Sequence, residues 1–68
     1  MSYEELFTLL QRLRKEKSDL EEEIRLIVAV VHRATKQDRP LLDQRLAELY
    51  HSLAKINQSL DDLEWLHL

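Results

Sequence analysis

Apolar residues recur along the first half of the chain at Tyr3, Leu6, Leu10, Leu13, Leu20, Ile24, Ile27, Val31 and Ala34, with steps of three and four. This is a heptad seam, with first-type positions at Tyr3, Leu10, Lys17, Ile24 and Val31 and second-type positions at Leu6, Leu13, Leu20, Ile27 and Ala34. Lys17 is its one charged member. A second seam follows Pro40 at Leu42, Leu46, Leu49, Leu53, Ile56, Leu60 and Leu63, with His67 next in the series. The pattern predicts a first helix over about 3–35 and a second over about 40–66.

Local signals agree with the start. Ser2 followed by Glu5 is a capping box, in which each side chain satisfies a free backbone N–H of the other residue. Met1 and Leu6 have the spacing of a hydrophobic staple, and Glu4 and Glu5 suit the positive helix end. The β-branched run Ile27–Val31 reads as helix because the heptad phase passes through it unbroken. The expected end comes after Arg33 and Lys36, cations suited to a last turn, in the polar run from Thr35 to Arg39. Pro40 cannot continue a preceding helix but suits the first turn of the next.

A short connection between two long helices implies an antiparallel hairpin, with arms of roughly 50 and 40 Å at about 1.5 Å per residue. The expected fold is therefore all-α, a single helical-hairpin domain over residues 1–68 that dimerises into a four-helix bundle. The expected register sets Ile27 opposite Leu49, Leu20 opposite Ile56 and Leu13 opposite Leu63. It brings Arg12, Arg14, Lys15 and Lys17 beside Asp61, Asp62 and Glu64, Glu21 near Lys55, and Arg33 near Asp43. Lys17 is expected to set register, its stem packed and its ammonium reaching Glu21 or Asp61.

Composition sharpens the need for a partner. The chain has 68 residues, one proline, and neither glycine nor cysteine. The missing glycine disfavours sheet turns, and the missing cysteine removes disulfides and thiolate zinc sites. A core this small ordinarily needs disulfides, metal or oligomerisation, so association is expected. The net charge of −3, with 34% charged residues, disfavours general nucleic-acid and membrane-surface binding. No leader or span-length apolar run is visible, which predicts a cytoplasmic protein.

No residue set points to catalysis, metal or cofactor. Glu48…His51 and Glu64…His67 have the Glu-x-x-His spacing of di-iron bundles, but both lie on one helix without matching inward glutamates. His32-Arg33-Ala34-Thr35 lacks the acidic neighbour of a phosphoacceptor histidine. The basic run from Gln11 to Lys17 reads as a solvated face, and an RNA-binding hairpin dimer is the third reading.

The informative residues are apolar ones outside the seams. Phe7 and Leu9 flank the first seam at the open end, with Trp65 and Leu66 on the second helix; Leu26, Val28, Ala29, Val30 and Leu41 gather at the turn end. All-round apolarity marks a helix covered on several sides. The first reading is a non-enzymatic protein-interaction or regulatory module, a homodimer in which Leu26 and Val30 meet Phe7, Leu9, Trp65 and Leu66 of a second copy. The second is an adaptor that receives a helical client. In size and layout alone the hairpin resembles the co-chaperones that hold type III secretion needle subunits, which would imply such a client.

Overall fold

The computed structural model describes residues 2–67, the side chains of Leu66 and His67 excepted. Among the described residues all regular structure is helical: α1 (Tyr3–Val31) and α2 (Arg39–His67), packed against each other as an antiparallel hairpin. Each helix has 29 residues, about 43 Å at 1.5 Å per residue, and the molecule measures 50 × 14 × 14 Å. Its radius of gyration is 15.6 Å, against about 11 Å for a compact chain of this length, so the molecule is a rod.

The start of α1 follows the local code. The Glu5 N–H donates to Ser2 Oγ at 3.1 Å, and the Ser2 N–H donates to Glu5 Oε2 at 3.4 Å. Met1, the proposed staple partner, lies outside the described residues.

The end of α1 departs from expectation. The helix stops at Val31 rather than near residue 35, so Arg33 and Lys36 lie beyond its last turn, which contains no basic residue. The reason is the local chemistry of the connection. Arg33 N–H donates to Val30 O at 2.9 Å and Ala34 N–H to Val31 O at 3.2 Å, the three-residue bonds of a tightening terminal turn. No residue in the described chain has positive φ, so this end closes without the left-handed cap that glycine ordinarily supplies.

Thr35 then captures the chain for the next helix. Its Oγ accepts from the Asp38 N–H at 3.3 Å and donates to Asp38 Oδ2 at 3.2 Å. Its carbonyl accepts from Asp38 N–H at 3.2 Å and Arg39 N–H at 3.1 Å. Asp38 O receives the first bond of α2, from the Leu42 N–H at 3.3 Å. Pro40 sits in the first turn of α2, as its missing N–H permits.

The core is thin. Among the described residues only Leu10, Ile24, Leu49 and Leu60 are buried apolar side chains, and Leu49, at 2% exposed, is the deepest. Most other seam residues, including Leu13, Leu20, Ile27, Leu46, Leu53 and Leu63, are half-buried. Tyr3, read as a seam residue, is 72% exposed because the open end has too little opposing surface to cover it.

Two substitutions separate these contributions. Leu49→Ala removes the deepest side chain and should destabilise the fold by about 3 kcal/mol, whereas Leu41→Ala should stay within about 0.5 kcal/mol, both read by chemical denaturation. Thr35→Ala should cost about 1 kcal/mol by loss of the turn's side-chain bonds, with helix content retained in far-UV dichroism.

Candidate interaction surface

Among the described residues one cross-arm ion pair marks the register in the turn-proximal half of the hairpin. Arg45 Nη2 donates to Glu23 Oε1 and Oε2, each at 3.2 Å, while Arg45 Nη1 reaches Glu48 Oε2 at 3.3 Å. The hydrogen bond and charge of Glu23, with a further hydrogen bond from Glu48, hold the Arg45 pKa above its ordinary value. Both groups are well exposed, so the pair selects an alignment more than it stabilises one.

This pairing corrects the expected register. With Ile27 opposite Leu49, Glu23 and Arg45 would sit about two turns apart along the rod, beyond the reach of their side chains. The arms are therefore slid by at least about one turn. None of the expected cross-arm charge pairs forms within 4.0 Å among the described residues: Asp43 lies 3.9 Å from Arg39 on its own helix instead of meeting Arg33, and Asp62 accepts from Gln58 at 3.0 Å. Lys17 is half-buried in the seam without an ion pair to Glu21 or Asp61. The physical cause is the earlier end of α1, which moves the centre of the turn toward the N-terminus.

The hairpin has two flanks, and the apolar residues divide between them. One flank carries residues that precede first-type seam positions, and the Glu23–Arg45 pair lies on it. Near the open end a shallow groove on this flank is lined by Leu9, Leu13, Ser59, Asp62 and Leu63. Near the turn another joins Val30 and Ala34 to Leu41 and Leu42. Phe7 lies elsewhere, in a depression with Tyr3, Leu6, Leu10 and Arg14. Phe7 and Leu9, grouped as one open-end patch by sequence, thus belong to different surfaces.

Most of the remaining candidates are placed in solvent. Trp65 is 80% exposed, Leu41 71%, Leu26 62%, Phe7 58% and Val30 51%; Val28 is only just exposed, Ala29 is exposed and Leu9 is half-buried. Leu66 belongs to the last turn of α2, and its side chain lies outside the described residues, as does that of His67. Sequence reading missed Tyr50, which is 52% exposed. It follows the seam residue Leu49 directly, a position where an aromatic ring passes for seam padding until the arm opposite is seen to leave it uncovered.

The described residues hold no group of three or more His, Cys, Asp or Glu side chains able to grip a metal ion. Among the described residues no helix is long and apolar enough to cross a membrane. The concave features along α1 are shallow and open. The arrangement offers apolar surface interrupted by charge, which is the chemistry of helix-on-helix packing. No family model, no curated protein and no solved structure matches this chain.

Proposed function

We propose that this protein is a non-enzymatic interaction module that works as a self-associated helical hairpin, two copies forming an antiparallel four-helix bundle. The observation that carries this reading is the mismatch between a core of three leucines and one isoleucine, among the described residues, and the apolar side chains left in water. Four buried residues among those described are few for a cysteine-free chain of 68 residues to hold itself together alone.

Surface area points the same way. The hairpin exposes 5677 Å², whereas a compact folded chain of 8.2 kDa exposes about 4,500 Å². The excess of about 1,100 Å² exceeds the roughly 800 Å² that each partner buries in a standard specific interface. A rod 50 Å long and 14 Å wide removes that excess most economically by lying alongside another rod. Antiparallel stacking also sets the apolar turn end of one copy against the apolar open end of the other, a closed two-fold arrangement.

Self-association predicts a two-chain mass by sedimentation equilibrium at micromolar concentration, with a melting temperature that rises with protein concentration. Small-angle scattering should give a longest dimension close to that of the single rod, because the copies lie side by side. A monomer of undiminished helicity and concentration-independent melting would remove the proposal, and a longest dimension near twice the rod would replace side-by-side packing with end-to-end packing.

A further inference from the structure

The proposed dimer leaves open which flank meets the second copy, and the charges decide it. Residues that follow second-type seam positions form one flank of α1: Phe7, Arg14, Glu21 and Val28, spaced every seven residues. The order is apolar, basic, acidic, apolar. A two-fold axis across the middle of α1 pairs Phe7 with Val28 of the second copy and Arg14 with Glu21 of the second copy, and by symmetry the reverse. Every pair on this flank of α1 is then complementary. We infer that the second copy docks on this flank, with α1 against α1 in antiparallel orientation.

The structure leaves these groups available. Phe7 is 58% exposed and Val28 37%, and Arg14 shares the depression beside Phe7. Neither Arg14 nor Glu21 makes an ion pair within the hairpin among the described residues, so each meets the second copy with its charge unspent. From Phe7 to Val28 the row runs about 32 Å, most of the rod. On α2 the equivalent positions are Asp43, Tyr50, Asn57 and Glu64. The same axis brings Tyr50, 52% exposed, to Asn57, where a phenol and an amide can hydrogen-bond. It also brings Asp43 toward Glu64 at the two ends, a like-charged pair eased by Arg39 beside Asp43.

The other flank fails the same test. Its row on α1 is Leu9, Glu16, Glu23 and Val30, so a two-fold axis there sets Glu16 against Glu23 of the second copy. Its ends match but its centre repels. Glu23 is moreover already engaged by Arg45. Leu26, Val30 and Leu41 therefore stay outside the contact, contrary to the pairing of Leu26 and Val30 with Phe7 expected from sequence.

This inference rests on the proposed self-association, and a charge exchange tests it separately. R14E and E21R should each weaken the dimer roughly 30-fold by sedimentation equilibrium, since each turns two attractive contacts into two repulsive ones. Mixing the R14E and E21R chains should restore association as a one-to-one heterodimer, and the double variant R14E/E21R should restore the homodimer. Helicity by circular dichroism checks that each chain stays folded. Dissociation constants within about three-fold of the parent for both single variants, or no recovery on mixing, would overturn the assignment. So would a dimer that survives V28E but is lost in L26E, a result that moves the contact to the other flank while self-association stands. A monomeric parent chain would remove both readings.

Discussion

Two antiparallel helices share a single seam, and each can bury only one stripe of its circumference in the other. The rest of this structure follows from that limit. One stripe per arm, over arms of 29 residues, buries just four apolar side chains among the described residues and leaves the other seam leucines half-covered. Leucine and isoleucine at the seam stabilise the hairpin through the area they take from water, and the area available is small. Residues such as Phe7, Leu26 and Leu41 lie outside the stripe, so no adjustment of the hairpin alone can cover them.

With so little burial, small directional interactions select the arrangement. The Ser2–Glu5 capping box begins α1, the Thr35–Asp38 bonds begin α2, and the Glu23–Arg45 pair aligns the arms. Each is exposed and weak beside the hydrophobic term. Their effect is to discriminate among alignments that bury similar apolar area, because a seam of leucines at regular spacing tolerates a slide of one turn. Committing Arg45 to Glu23 also differentiates the flanks, one carrying an internal ion pair and the other Arg14 and Glu21, which make no ion pair among the described residues.

The helices and their seams were legible in the sequence because heptad periodicity and N-terminal capping are local signals, carried within one or two turns. Ser2 and Glu5 show this directly. The end of α1 was harder to read. Without glycine no residue announces a left-handed cap, and the heptad phase continues through Val31 to Ala34 although the backbone does not. The signal that could have located the break is Thr35 three residues before Asp38, which reads as a polar run until its hydroxyl is seen to bond the Asp38 amide. That one misplaced boundary carried into the register, since the centre of the turn determines which residues face each other across the arms. The charge pairs inferred from it, such as Arg33 with Asp43, were consequently displaced.

The chain by itself determined that it is helical, that it has two arms, that the arms run antiparallel, and which stripe of each faces the other. These follow from periodicity, from the absence of glycine and cysteine, and from a connection too short for anything but a hairpin. Only the tertiary structure decided the axial alignment and the exposure of Tyr3 and Tyr50. The physical reason is that a repeating apolar pattern is nearly unchanged by a slide of one turn. Its alignment therefore depends on the geometry of the turn and on the one cross-arm ion pair among the described residues, neither of which is written in the period of the seam.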